Sequence, residues 1–106
     1  MSITVLLADD HAMVRDGLKL LLESQQDITV VGLASNGREA VKLARKHAPD
    51  VVLLDIAMPE LNGIEAAQKI RNALPRTRII ILSMHATSEH VFRALQAGAD
   101  GYLLKE

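Results

Sequence analysis

The feature that most constrains this chain is a run of four aliphatic residues that ends in a carboxylate. Residues Val51 to Leu54 read VVLL, and Asp55 follows them directly. Such a run predicts a strand covered on both faces, which is typical of a parallel sheet flanked by helices. Asp55 is then at the carboxyl end of a central strand. Ligands bind at that edge of open α/β sheets, so Asp55 is the first candidate functional residue.

Short aliphatic runs alternate with segments of helical period along the whole chain, which indicates β-α units around one parallel sheet. With 106 residues, the chain is predicted to form a single α/β domain. The predicted strands are Ile3–Ala8, Ile28–Ala34, Val51–Leu54, Arg78–Ser83 and Gly101–Leu104.

Helix signals agree with this pattern. Asn36 stands three residues before Glu39, which predicts a capping box, and Gly98 stands where a helix end commonly needs a left-handed residue. The first predicted helix carries an apolar stripe at helical spacing, formed by Val14, Leu18, Leu21 and Leu22.

Composition excludes several classes of function. The chain has 12 Lys and Arg against 13 Asp and Glu, so it lacks the basic excess of a domain that binds nucleic acid by itself. It has no cysteine, which removes disulfides, thiolate metal sites and cysteine nucleophiles. No apolar run approaches the roughly 18 residues of a membrane span. We therefore expect a cytoplasmic protein with no membrane partner.

Three carboxylates are predicted to meet at one edge of the sheet. Asp9 and Asp10 follow the first strand and Asp55 follows the third. Carboxylates within about 5 Å repel by roughly 3 kcal/mol per pair at an effective dielectric near 20, so the cluster should take up protons or bind a cation. Oxygen ligands of this kind are typical of Mg²⁺ rather than zinc.

The histidines give little support for a transition-metal site. None of His11, His47, His85 and His90 forms the helical i, i+4 pair that such sites use, and no cysteine accompanies them. His11 is nevertheless expected near the acidic pocket, at the start of the first helix.

Two more polar residues end strands at the same edge, Ser83 in the fourth and Lys105 in the fifth. A carboxylate beside Mg²⁺ and a lysine is equipped to attack a phosphoryl group, because the metal and the ammonium balance charge on the phosphoryl oxygens. The product would be an acyl phosphate on Asp55. Taken singly, each of these residues is usually a helix cap, a turn hydroxyl or a solvated strand end.

Together these residues resemble the receiver domain of two-component response regulators. The resemblance spans the chain through Asp9 and Asp10, the DxxMPxxNG stretch that begins at Asp55, Ser83, and the GYLLK motif that ends at Lys105. It implies a flavodoxin-like, doubly wound five-stranded parallel sheet in the order 2-1-3-4-5.

The resemblance also implies a role for each site residue. Asp55 accepts a phosphoryl group from a sensor histidine kinase, Lys105 contacts that group, and Ser83 and Tyr102 form a switch pair. The implied Mg²⁺ ligands are Asp9, Asp10, Asp55 and the backbone carbonyl of Ala57.

The stretches DHAMVRDGL, SNGREAV, LSMH and GADGYLLKE resemble the NarL/FixJ-type (LuxR-like) subfamily in particular. That subfamily implies a transcriptional regulator that contacts DNA through a helix-turn-helix domain placed after the receiver. Met84 and Glu106 depart from the broader receiver pattern, where a smaller residue and a proline are common. Met84 is expected to affect the rate of dephosphorylation. Glu106 is expected to affect the geometry of the peptide bond beside Lys105.

The last predicted strand runs to the end of the sequence, with no fifth helix after it. We expect residues 1–106 to be a receiver domain truncated before that helix. The apolar surface left open at one face of the sheet and at the first helix then predicts a homodimer or an exchange of elements between chains.

Three other functions remain open from the sequence. A stand-alone receiver would act through protein contacts alone. An aspartyl-nucleophile phosphatase of the haloacid dehalogenase type would need an acid/base Asp where Ala57 stands. A nucleotide or flavin binder would need a glycine-rich or hydroxyl-rich loop where Asp9 and Asp10 stand.

Overall fold

The computed structural model describes residues 2–58, 60–83 and 88–104 of the chain. Strands and helices alternate through these residues, as the sequence predicts. None of the helices found there is both long enough and apolar enough to cross a membrane. The elements are β1 (Ile3–Ala8), α1 (Ala12–Glu23), β2 (Ile28–Ala34), α2 (Gly37–His47), β3 (Val51–Asp55), α3 (Gly63–Ala73), β4 (Arg78–Ser83), α4 (Ser88–Gln96) and β5 (Gly101–Leu104).

The five strands form one parallel sheet in the order β2-β1-β3-β4-β5, which confirms the implied order. The chain adds β2 on one side of β1 and then β3, β4 and β5 on the other side. Because crossovers between parallel strands are right-handed, α1 covers one face of the sheet and α2, α3 and α4 cover the other. The direction of winding changes between β1 and β3, and ligands bind at the carboxyl ends of strands beside such a switch point.

Four of the five strands have the predicted bounds, and β3 is one residue longer than predicted. The prediction ended this strand at Leu54, whereas β3 includes Asp55. The reason is that the ladder with β4 continues, with Asp55 paired to Leu82. The backbone of Asp55 is therefore held by the sheet rather than by a loop.

The main core lies between the sheet and the layer of α2, α3 and α4. Leu6, Leu54 and Ile81 are fully buried there from three neighbouring strands. The other face is more open, and α1 has no buried residue. Leu21, which was predicted to face the core, is 65% exposed. Because α1 packs against β1 and β2 at the side of the sheet, part of its apolar stripe faces solvent.

Local hydrogen bonds fix the starts of α2 and α3. The Asn36 side chain accepts the N–H of Glu39 at 2.7 Å, and the Glu39 carboxylate accepts the N–H of Ser35 at 2.8 Å, as in a capping box. Asn62 caps α3 in the same way and accepts the N–H of Glu65 at 2.9 Å. The predicted cap at Asn36 is thus confirmed, and each cap satisfies a backbone donor that the helix leaves unpaired.

A guanidinium clamp holds the end of α4. Gly98 has a φ of 106°, which confirms the predicted left-handed helix stop. Arg71 of α3 donates to the Gly98 carbonyl from Nε at 3.1 Å and from Nη2 at 3.0 Å, and pairs with Asp100 at 2.5 Å. The same Asp100 carboxylate accepts the N–H of Ile79 at 2.9 Å. The clamp ties α3, β4 and the connection into β5 together.

Two glycine-to-alanine changes should have opposite effects on stability. A Cβ on Gly37 would collide with the backbone carbonyl of Leu61, whereas a Cβ on Gly17 in α1 meets no heavy atom within 4 Å. Gly37→Ala should lower the free energy of unfolding by about 1–3 kcal/mol through overpacking. Gly17→Ala should raise it by about 0.5–1 kcal/mol, since alanine is the better helix former. Urea unfolding monitored by circular dichroism measures both, and equal effects would contradict this packing.

Candidate functional site

The candidate site begins where β1 and β3 end side by side. Ala8 pairs with Leu54, so the next residues, Asp9 and Asp55, are neighbours at the carboxyl edge of the sheet. Both are buried, with 2% and 3% of their surfaces exposed. Buried carboxylates are rare unless a charge or a hydrogen bond compensates them. Two buried carboxylates side by side therefore make this edge the candidate for a binding site.

Four side chains converge at this edge. Ligand atoms of Asp9, Asp10, His11 and Asp55 all lie within 4.8 Å of one another. The structure thus brings together the three carboxylates that the sequence predicted to meet, and adds His11 to them. At that separation two buried carboxylates repel by about 3 kcal/mol at an effective dielectric near 20. The cluster is accordingly a place where a cation lowers the free energy.

His11 lies against both carboxylates that precede it. Its Nδ1 is 3.1 Å from Asp9 Oδ1 and 3.1 Å from Asp10 Oδ1. The backbone N–H of His11 also donates to Asp9 Oδ1, at 2.8 Å. These contacts hold the turn between β1 and α1 in a shape that keeps the carboxylates of Asp9 and Asp10 next to each other.

Arg15 supports the same turn from the first turn of α1. Its Nη1 donates to the backbone carbonyl of Asp9 at 2.8 Å, and the N–H of Asp9 donates to Ala34 of β2 at 3.0 Å. Both backbone groups of Asp9 are therefore fixed. Sequence reasoning missed Arg15, because its side chain bonds a backbone carbonyl six residues earlier and no side-chain spacing rule predicts that contact.

The loop after β3 folds tightly around Asp55. The N–H groups of Met58 and Gly63 donate to the carbonyl of Ile56 at 3.1 and 2.9 Å. A Cβ on Gly63 would collide with the backbone carbonyl of Asp55, which explains the glycine at this position. Ala57, the predicted carbonyl ligand, is an exposed residue of this loop.

Ser83 is at the same edge of the sheet, one strand away. It is 1% exposed and ends β4, whose preceding residue, Leu82, pairs with Asp55 of β3. Tyr102 lies on β5 opposite Ile81 and packs, partly buried, against the main core. The predicted phosphoryl contact Lys105 lies outside the described residues, as do the two departures Met84 and Glu106.

The donor set fits Mg²⁺. Asp9, Asp10 and Asp55 supply carboxylate oxygens, which are the ligands that this ion prefers, and the chain has no cysteine. Three carboxylates also leave coordination positions for water and for a phosphoryl oxygen, as is usual for Mg²⁺ sites in phosphoryl-transfer proteins.

Comparison with known proteins decides the family. The model of the response regulator receiver domain matches residues 5–106 of this chain. The chain belongs to the response regulator receiver family. The predicted resemblance is thereby confirmed, and the five-stranded sheet described above is the fold that this receiver domain shares with its relatives.

Known relatives place the receiver domain with the NarL- and LuxR-type members. The uncharacterized transcriptional regulatory protein YxjL of Bacillus subtilis is 48% identical over 104 residues, which cover 98% of this chain and 48% of YxjL. The receiver domain of NarL from Mycobacterium tuberculosis superposes with a TM-score of 0.94 at 40% identity, over 99% of this chain and 85% of that one. The CheX–CheY–BeF3–Mg complex of Borrelia burgdorferi matches with a TM-score of 0.92 at 28% identity, over 98% of this chain and 78% of that one.

The receiver domain spans about half the length of the curated relatives that it matches.

The acidic cluster predicts a stabilising effect of Mg²⁺ on the receiver domain. An ion that binds the folded state alone raises the free energy of unfolding, by about 2.7 kcal/mol at about 100 times its dissociation constant. Thermal melts with and without MgCl₂ measure this effect. Asp10→Asn should remove most of it, because one of three clustered carboxylates is lost.

Without Mg²⁺, Asp10→Asn should melt at a temperature equal to or above that of the parent, since it relieves repulsion within the cluster. Asp16→Asn, at an exposed position of α1, is the matched control and should keep the full response to Mg²⁺. If the two variants respond alike, the cluster does not hold the ion.

Proposed function

We propose that this receiver domain is a phosphorylation-dependent switch in which Asp55 accepts a phosphoryl group from a sensor histidine kinase. The observation that carries the proposal is the position of Asp55, buried at the end of β3 with its carboxylate within 4.8 Å of ligand atoms of Asp9 and Asp10. A nucleophile held this rigidly beside a cation-binding cluster is suited to in-line attack on phosphorus.

Phosphoryl transfer then follows one balanced step. A carboxylate oxygen of Asp55 forms a bond to phosphorus while the phosphorus–nitrogen bond of the donor's phosphohistidine breaks. The electron pair goes to the histidine nitrogen, which takes up a proton, and Asp55 becomes an acyl phosphate. We assign Asp9, Asp10, Asp55 and the backbone carbonyl of Ala57 as Mg²⁺ ligands. The bound ion would neutralise charge on the phosphoryl oxygens, and Lys105 would supply a second positive charge there.

Two features favour this function over its rivals. A phosphatase of the aspartyl-nucleophile type needs an acid two residues after the nucleophile, and the residue there is Ala57. The related CheY complex of Borrelia burgdorferi includes both Mg²⁺ and BeF3, a compound of beryllium and fluorine, which supports the proposal that a Mg²⁺ site exists in this chain also.

We further propose that Ser83 and Tyr102 transmit the signal. A phosphoryl oxygen on Asp55 offers the buried Ser83 hydroxyl a charged acceptor, and charge-assisted hydrogen bonds are roughly twice as strong as neutral ones. Movement of Ser83 toward the phosphate changes the packing beside β5, where Tyr102 lies. Phosphorylation would thus shift an equilibrium between two arrangements of this surface.

The output of the switch is proposed to be transcription. YxjL is named as a transcriptional regulatory protein and is about twice as long as this chain. We propose that residues 1–106 act as the receiver domain of such a regulator and that a helix-turn-helix domain elsewhere in the longer protein contacts DNA. A stand-alone receiver that acts through protein contacts is the alternative.

We also propose that the exposed side of α1 binds a second copy of the chain. Met13, Leu20 and Leu21 on this helix are 89%, 75% and 65% exposed. Exposed apolar side chains grouped on one helix commonly mark an interaction surface. A two-fold symmetric pair would bury the same patch on both copies, and the net charge of −1 per chain offers little repulsion.

Phosphorylation should be specific to Asp55 and should need Mg²⁺. Incubation with acetyl phosphate, followed by mass spectrometry, is expected to add one phosphate to the parent chain with Mg²⁺ and none with excess EDTA. Asp55→Asn should abolish the addition, while Asp16→Asn should leave it unchanged. Phosphate on another residue, or equal phosphorylation with Mg²⁺ and with excess EDTA, would refute the proposed mechanism.

The same samples report on the switch through fluorescence. The chain has one Tyr and no Trp, so its intrinsic emission comes from Tyr102. We expect phosphorylation to change this emission in the parent. Ser83→Ala and Lys105→Ala should lose the change even where mass spectrometry detects phosphate on Asp55. An unchanged response in both variants would remove these residues from the switch.

The α1 surface has its own test. Replacing both Leu20 and Leu21 by Gln should weaken self-association by about tenfold or more, because each apolar side chain buried contributes about 1.5–3 kcal/mol. Sedimentation equilibrium measures the association constant. Phe92→Gln on α4, another exposed apolar position at 61%, is the control. A parent chain that stays monomeric at high concentration would refute the proposal.

A further inference from the structure

A groove of about 520 Å³ lies between α2 and α3, away from the acidic cluster. Four of the residues that line it are cationic and two are aliphatic, and none of the described lining residues is acidic. The lining residues are Arg38, Val41, Lys42, Arg45, Leu61 and Lys69. We call this surface the basic groove.

The cations of the basic groove come mainly from one side of α2. Arg38, Lys42 and Arg45 follow one another at helical spacing, so their side chains leave the helix in similar directions. Lys69 lies across the groove on α3. All four residues are exposed. Positive charge is therefore concentrated on this surface, although the net charge of the chain is −1.

Little of this charge is neutralised within the chain. Arg38 Nε is 3.9 Å from Glu60 Oε1, a long separation for an ion pair. Lys42, Arg45 and Lys69 form no ion pair with any residue that the structure describes. Complementary charge between two surfaces favours their association and speeds their encounter. The basic groove is thus complementary in charge to an acidic ligand.

The two most buried residues of the groove narrow the class of ligand. Val41 is 8% exposed, and Leu61 is partly buried and packs against the main core. Both offer aliphatic surface between the cations. A nucleic-acid backbone has no apolar group to place there, whereas a protein segment can place a leucine between its carboxylates. An apolar centre with a polar rim is also the usual composition of a protein–protein interface.

We propose that the basic groove binds an acidic amphipathic segment of a partner protein. The apolar side of the segment packs on Val41 and Leu61, as when an amphipathic helix binds in a groove. Its carboxylates pair with the cations of α2 and with Lys69. This inference goes beyond the proposed function, because it uses none of the residues assigned to phosphoryl transfer.

The test uses a fluorescein-labelled helical peptide of about 15 residues, with leucine along one side and glutamate elsewhere. Fluorescence anisotropy should show saturable binding to the parent chain that weakens as salt is added. Lys42→Glu combined with Lys69→Glu should weaken binding by about tenfold or more, because the reversed charges repel the peptide. Arg76→Glu combined with Arg93→Glu is the matched control. It changes the net charge equally at exposed positions outside the groove and should bind as the parent does.

Two further ligands test the class of partner. The same peptide with alanine in place of leucine, and a short DNA duplex of similar charge, should each bind about tenfold or more weakly than the leucine peptide, since neither has apolar side chains that fill the groove. Backbone ¹H–¹⁵N spectra should show that the leucine peptide shifts amides of α2 together with Leu61 and Lys69.

Four results would each overturn the inference. They are the absence of binding between the parent and the leucine peptide, an equal loss of binding in the two double variants, equal affinity for the leucine peptide and either of the other ligands, and amide shifts confined to a surface other than the basic groove. Circular dichroism of both double variants shows whether a loss of binding comes from unfolding.

Discussion

The burial of two carboxylates next to each other is the constraint on which the site depends. Asp9 and Asp55 are almost fully enclosed, although each would be better solvated in water. The two carboxylates stay buried because the backbone at both positions is fixed. Asp55 is part of the β3–β4 ladder, and Asp9 is held by β2 and by Arg15. The backbones that carry the two carboxylates are therefore held in place before any cation binds, and a cation site with fixed ligands is preorganised for binding.

The topology explains why these residues meet. The chain passes from β1 to β2 on one side of β1 and then crosses from β2 to β3 on the other side. The carboxyl ends of β1 and β3 therefore lie at the switch point, where open α/β sheets leave a crevice for ligands. Asp9 and Asp55 are far apart in sequence and adjacent in space. Ser83 joins them because β4 is the next strand along. The sheet order thus brings single polar residues at strand ends together at one edge of the sheet.

Much of this arrangement could be predicted because it depends on local patterns. The aliphatic runs located the strands, and the rule that parallel strands share a direction brought Asp9, Asp10 and Asp55 together. The end of β3 was missed by one residue, since a charged residue looks like the end of a strand until its pairing partner is known. The role of Lys105 remains a prediction.

Other features depend on contacts that no local pattern encodes. The exposure of Leu21 reflects where α1 sits against the sheet, while periodicity reports only that the helix has an apolar side. The approach of His11 to Asp9 and Asp10 was anticipated only as proximity, because spacing rules look for histidines one helical turn apart and this contact joins consecutive residues of a turn. Arg71 reaches Gly98 across 27 residues, a distance that sequence spacing cannot resolve.

The Arg71 clamp restricts the backbone at the start of β5. The guanidinium fixes Gly98 and Asp100, and Asp100 in turn is bonded to the backbone of β4. Tyr102 follows Asp100 by two residues, so the strand that carries it is anchored at its amino-terminal end. The Tyr102 side chain can therefore adopt another rotamer while the backbone at the start of β5 stays in place. The hydrogen bond from Ile79 to Asp100 also resists any shift of β5 along β4.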